Sequence, residues 1–176
     1  MKVDKYNLCQ PGIKNLSCFG CCGRDFTCKK EVLDEIDHNT KIFRNIKVPS
    51  TSNLLCFRDR LSDDNWEVTK SGVCSNLVKF DNGKFACPLH KFINDIVPKS
   101  DFLAIHKKDL RWGHCDVNYE CESIIFWKQL NDLQKTRYFE WLKEQNISDS
   151  YEYSVGLVEG KLIRRFFDEC DIYINS

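Results

Sequence analysis

The chain is 176 residues long and 42% hydrophobic, the length of one ordinary domain with enough apolar material to bury a core, which excludes a disordered chain. Lysine plus arginine matches aspartate plus glutamate, 26 against 26, so no overall field attracts a polyanion, and a general nucleic-acid or anionic-membrane binder is disfavoured. No apolar run has the length of a signal peptide or a membrane span, so a cytoplasmic protein is expected; in that reducing compartment 11 cysteines, odd in number and unevenly spaced, point to metal-held thiolates rather than a disulfide framework.

Residues 1–17 carry Cys9, Pro11 and Gly12 with little periodicity and read as an irregular lead-in, in which Cys9, distant from the main motif, is a bystander thiol. The stretch Cys18-Phe-Gly-Cys21-Cys22-Gly-Arg-Asp-Phe-Thr-Cys28 then places four thiols close together. Its glycines remove the Cβ clashes that would keep a tight loop from turning several sulfurs onto one centre. Consecutive side chains point apart on an extended backbone. One of Cys21 and Cys22 can therefore ligate while its neighbour serves a second centre, a redox role or packing.

Thr27 is the expected N-cap of a helix with Val32, Leu33, Ile36, Phe43 and Ile46 on one face and a bend near His38-Asn39. Cys28 falls in its first turn, where free N–H groups favour a thiolate, and is a ligand rather than merely a buried helix residue. After a break over Val48-Pro49-Ser50-Thr51-Ser52, residues 53–61 form a short helix turning Leu54, Leu55 and Phe57 inward with Cys56 in the core. Ser62 to Asn65 read as a polar turn.

From Val68 the texture changes to short β-like runs. Asn82-Gly83, between Leu77–Phe80 and Lys84–Cys87, predicts a hairpin with a type I′ turn, which sets Cys87 opposite Val78 and Cys74 further along the same end. Both sulfurs reach one centre if the chain curls back through Gly72-Val73. An irregular stretch to Asn118 holds His106, Lys107-Lys108, Arg111-Trp112, His114, Cys115 and Asp116, with Cys121 following. An acid–base set of His106, His114, Asp116 and Glu120 ranks behind solvated loop polar groups, since no spacing demands it. A basic aromatic patch of Lys107-Lys108 with Arg111-Trp112 ranks low at zero net charge.

Glu122 to about Gln145 reads as one helix, with Phe126, Leu130, Leu133 and Trp141 on one side and Trp127, Tyr138 and Leu142 beside them. Asn146 to Ser150 ends it and caps a second helix in which Tyr151, Val155, Val158, Leu162, Phe166 and the core thiol Cys170 share a face. The two pack as an antiparallel pair, and Gly156 and Gly160 permit close approach.

Setting Cys56 and Cys170 aside as core and Cys9 as a bystander leaves Cys18, Cys21, Cys22, Cys28, Cys74, Cys87, Cys115 and Cys121, with His90 and His114 as nitrogen donors. Those are enough for one zinc or four-iron site and for a second.

The run Cys18-Phe-Gly-Cys21-Cys22, followed by Cys28 and by Cys74 and Cys87 around a hairpin, resembles the Cys-Gly-x-Cys-Cys core of the YkgJ-like family of zinc- or iron-chelating proteins over roughly residues 16 to 90. Asn15 stands where that family carries a further cysteine, and Phe85-Ala86 where it carries Arg-Pro. The resemblance implies that Cys18, Cys21, Cys22, Cys28, Cys74 and Cys87 bind zinc or a [4Fe-4S] cluster. Cys115 and Cys121 join them on the residue reading alone. A flagellin lysine N-methylase with an iron–sulfur cluster shares this type of motif, which implies an alternative as an iron–sulfur enzyme of electron or methyl transfer. A thiol redox sensor using Cys21 and Cys22 is the third reading.

The expected fold is α+β and mainly α. A cysteine-rich, metal-organised module over residues 1–120 carries one β-hairpin and packs on a C-terminal helical pair over 121–176, together one compact domain. The expected function is metal binding, with a protein or small molecule as partner rather than nucleic acid or membrane.

Overall fold

A computed structural model of the protein describes residues 7–13, 15–46, 50–61, 68–91, 93 and 108–172. The regular structure there is α1 (Lys29–Arg44), α2 (Thr51–Asp59), β1 (Val78–Lys79), β2 (Phe85–Ala86), α3 (Glu122–Trp127), α4 (Asp132–Glu144), α5 (Ser150–Val158) and α6 (Lys161–Glu169). The described chain is thus mainly helical with one antiparallel hairpin, as expected. No helix among the described residues is long and apolar enough to cross a membrane. The turn expected at Ser62 to Asn65, Val48-Pro49 of the expected break, and His106 and Lys107 lie outside the described residues; Thr51 and Ser52, expected in that break, instead open α2 behind the Ser50 cap.

The chain divides into two compact units, Met1–Cys21 with Glu120–Ser176, and Cys22–Tyr119. One division falls between Tyr119 and Glu120 and the other between Cys21 and Cys22. The first 21 residues therefore belong with the C-terminal helices rather than with the rest of the cysteine-rich segment. Burial explains this: Leu8, Ile13 and Leu16 sit in the same core as Trp127, Tyr138, Leu142, Leu157 and Phe166.

In the unit of residues 22–119, α1 buries Val32, Ile36 and Phe43. Its N-cap is Cys28 rather than Thr27, because Thr27 gives both its N–H and its hydroxyl to the Ser71 carbonyl. The helix continues without interruption through His38-Asn39. Asn39 and Thr40 turn inward there, the Thr40 hydroxyl donating to the Ile36 carbonyl and accepting from the Lys79 N–H at 2.8 Å, which docks α1 on the hairpin. In α2, capped by Ser50, Leu54 and Phe57 are buried. Cys56 is exposed, a correction to its assignment as core: on a helix whose inner edge is set by residues 54 and 57, residue 56 points away.

The hairpin forms one residue out of the expected register. Val78 pairs with Ala86 and Lys79 with Phe85, so Cys87 is not opposite Val78. Phe80 and Lys84 close a loop of Asp81, Asn82 and Gly83, and only Gly83 has positive φ (78°), whereas a type I′ turn needs it at Asn82 too. Upstream, the chain does curl at Gly72, where φ is 85°, with the Thr69 N–H donating to the Val73 carbonyl at 2.8 Å.

In the other unit, the single helix expected over Glu122–Gln145 is two. Asn131 and Gln134 form a capping box that restarts the helix at Asp132 and leaves α3 short. Leu133, expected inside, is 77% exposed as a result, while Trp127, Leu130, Tyr138, Trp141 and Leu142 are buried. The following helix is also two, α5 and α6, divided at Gly160, where φ is 67°. Its expected inner face is corrected too: Tyr151, Val155 and Val158 are only half-buried, and α5 buries Ser150, Tyr153, Ser154 and Leu157 instead. Cys170 is half-buried at the end of α6 against this core.

Candidate functional site

Backbone pairing in the unit spanning residues 22–119 brings Cys22 beside Cys74. Gly23 and Val73 form an antiparallel bridge, and the Cys74 N–H donates to the Cys22 carbonyl at 2.8 Å. Only glycine fits at position 23, since a Cβ there would lie 2.3 Å from the Gly72 carbonyl oxygen. The Cys74 sulfur accepts the Asn76 N–H at 3.5 Å. Cys22 packs against the core that contains the buried Cys87.

The electrostatics of Cys87 place two further thiols in its neighbourhood. Burial pushes its thiol well above the ordinary range; the charges of Cys74 and Cys115 push it further, while the Leu89 amide and Arg111 oppose. Arg111 lies in the fields of both Cys115 and Cys87 and is held by Asp109 at 2.7 Å. Burial lowers the Arg60 guanidinium, and the charge of Cys74 is the largest influence holding it up. Arg60 donates to the carbonyl oxygens of Phe57 (2.6 Å) and Ser75 and to the amide oxygens of Asn76 (2.9 Å) and Asn39 (3.0 Å), and it lies over the Phe57 ring. Among the described residues it forms no ion pair, and Cys74 and Glu35 are the neighbours whose negative charge would hold it up.

The two candidate histidines adjoin this region as neutral groups. Burial, then Arg111, lowers the His90 imidazole to about 4. Burial, then Arg58, lowers His114, whose Nε2 is 2.6 Å from the Asn76 side-chain nitrogen. With Asn76 also donating its N–H to Cys74, His114 is connected to the thiol through one residue. Cys28, expected as a ligand, is exposed at the N-cap of α1 with no side-chain hydrogen bond to the helix.

The remaining candidates, Cys18, Cys21 and Cys121, belong to the other unit. Cys9, read as a bystander from its distance in sequence, is beside Cys18 there, with the Cys18 N–H donating to the Cys9 carbonyl at 2.8 Å. The signal that could have found it is its position in an Asx turn, in which Asn7 Oδ1 accepts the N–H groups of Cys9 (3.0 Å) and Gln10 (3.2 Å) and fixes an otherwise irregular loop. Among the described residues, no three His, Cys, Asp or Glu side chains are already gathered as a metal-binding group. Comparison with family models, curated proteins and solved structures finds no match to this chain.

Proposed function

We propose that the protein is a metal-binding protein that holds zinc or an iron–sulfur cluster through clustered cysteines, with Cys22, Cys74, Cys87 and Cys115 as ligands. The observation that carries this reading is the backbone bond from the Cys74 N–H to the Cys22 carbonyl at 2.8 Å, with Cys22 packed on the core that holds Cys87; the mutual charge effects of Cys74, Cys87 and Cys115 and of Arg60 and Arg111 support it. Close thiolates repel one another, and a cation among them reverses that repulsion. A zinc ion with four thiolates retains a net negative charge, and two guanidinium groups match it. The N–H donated to the Cys74 sulfur is a further support of the kind metal-bound thiolates use. In this reading Cys18, Cys21 and Cys28 are not ligands of that centre.

The test is elemental analysis with a visible spectrum on protein purified without oxygen. A brown protein with about four irons per centre identifies a cluster, and a colourless one with stoichiometric zinc identifies a structural ion. Cys74→Ser and Cys115→Ser should each lower the metal content, and Cys56→Ser should leave it unchanged. Metal content unaffected by either of the first two variants would overturn the assignment.

A further inference from the structure

We propose that Cys9 and Cys18 are a redox couple, a dithiol that a low-molecular-weight disulfide converts into an intramolecular disulfide, closing the loop between them against α5. Neither residue belongs to the metal centre proposed above, and the inference does not rest on that reading.

The backbone sets the separation of the pair. The Cys18 N–H donates to the Cys9 carbonyl at 2.8 Å. With standard bond lengths on either side of that hydrogen bond, the two Cα atoms are at most about 6.7 Å apart, however the chain is turned. A disulfide spans Cα separations of about 4.4–6.8 Å, so this pair is within bridging range in the native backbone. The side chains also face one another, since the Cys18 thiol is hydrogen-bonded to that of Cys9.

Both ends of the bridge are held by α5. The Tyr153 hydroxyl donates to the carbonyl of Leu8, the residue before Cys9, at 2.7 Å. Ser150 Oγ accepts the Ser17 N–H and Ser154 Oγ accepts the Phe19 N–H, both at 2.9 Å, so Cys18 is fixed on both sides. These hydroxyls stand on the inner face of the helix because the loop backbone has few regular partners of its own, and buried N–H and C=O groups need them. The loop is anchored at its middle as well: the Leu16 N–H donates to the Ile13 carbonyl at 3.0 Å, and both side chains are buried in the core of this unit. Thiols held in this way have a high effective concentration towards each other, which favours one internal disulfide over two mixed ones.

The exchange runs through Cys9 first. The hydrogen bond to Cys9, burial, and the charges of Cys9 and Cys21 hold the Cys18 thiol well above its ordinary value, with only the Gly20 N–H at 3.4 Å opposing them. Cys18 therefore keeps its proton while Cys9 is a free thiol. Both side chains are half-buried, within reach of a small reagent. Cys9 Sγ, as the thiolate, attacks one sulfur of the small disulfide, bonds to it and expels the other half as a thiolate. The mixed disulfide carries no charge on Cys9, so the acceptor and the repulsion that held the Cys18 thiol up are removed. Cys18, as the thiolate, then attacks Cys9 Sγ, closes the internal bond and expels the second half. Two electrons pass from the cysteines to the small disulfide, and the protons of Cys9 and Cys18 end on the two released thiols.

The experiment treats the full chain, purified without oxygen, with mixtures of reduced and oxidised glutathione and maps the products by mass spectrometry after alkylation. The wild type should lose two thiols to a single Cys9–Cys18 disulfide that a reductant reverses, while the exposed Cys28 and Cys56 stop at mixed disulfides. A bond from Cys18 to Cys21 instead, or glutathione left on Cys9 with Cys18 free, would overturn the couple. Cys18→Ala should accumulate glutathione on Cys9, and Cys9→Ala should leave Cys18 unmodified; the opposite labelling would overturn the order of attack. Closing this loop should raise the unfolding midpoint of the oxidised wild type by about 5–10 °C over the reduced protein. A midpoint that stays level or falls would show that the bridge strains the backbone, against the proposal. Metal content should be the same in Cys9→Ala as in wild type, and its loss there would assign Cys9 to a metal site and overturn the redox role.

Discussion

At the scale of single residues, position within a short motif says little about which thiols act together. Cys21 and Cys22 are consecutive, yet they belong to different compact units, whereas Cys18 and Cys9 are joined by a backbone hydrogen bond across eight intervening residues. Charge follows the same logic. Asp109 and Arg111 form an ion pair in which the side chains are only 9% and 15% exposed, and Arg111 faces the thiols of Cys87 and Cys115. Asp109→Asn leaves that guanidinium unpaired and should destabilise the protein by about 3 kcal/mol, read by urea unfolding. Burial works to raise the Asp109 carboxyl, but the hydrogen bonds and charge of Arg111 hold it below its ordinary value of 3.8. Its folded pKa is thus lower than its unfolded one, so the stabilisation is present above 3.8 and is lost as pH falls through that lower folded value. The gap between wild type and variant should narrow over that acid range, and a gap that widens there would contradict the pairing.

At the scale of elements, caps divide what periodicity joins. The apolar pattern from Glu122 to Gln145 is continuous enough to read as one helix. The Asn131–Gln134 capping box, with both hydrogen bonds at 2.9 Å, ends one helix and starts another. Asn131→Ala should cost about 1 kcal/mol in thermal or urea unfolding. No measurable loss would mean that the cap is not what sets the start of α4. The face of α5 teaches the complementary lesson. Apolar periodicity selects Tyr151, Val155 and Val158, but the helix buries serines and a tyrosine because their hydroxyls complete hydrogen bonds of loops more than a hundred residues away. The periodicity rule weighs hydrophobicity and is blind to a distant backbone group in need of a partner.

At the scale of the whole molecule, two modest cores share the stabilisation, one for each unit. In the proposed reading, metal held by Cys22, Cys74, Cys87 and Cys115 would add its binding free energy to folding, about 2.7 kcal/mol at a hundredfold excess over the dissociation constant. Chelation should therefore lower the unfolding midpoint and raise amide exchange around Cys22, Cys74, Cys87 and Cys115. Exchange unaltered by chelation there would remove any structural role for metal. The sequence by itself determined the mainly helical character, the inward residues of α1 and α2, the existence of a hairpin at Asn82-Gly83 and the exceptional density of thiols, since apolar spacing, turn chemistry and composition are local properties. Tertiary structure decided the hairpin register, the exposure of Cys56 and Leu133, the polar inner face of α5 and the company each cysteine keeps. Those outcomes depend on which distant backbone groups and charges need partners, and no local spacing encodes that.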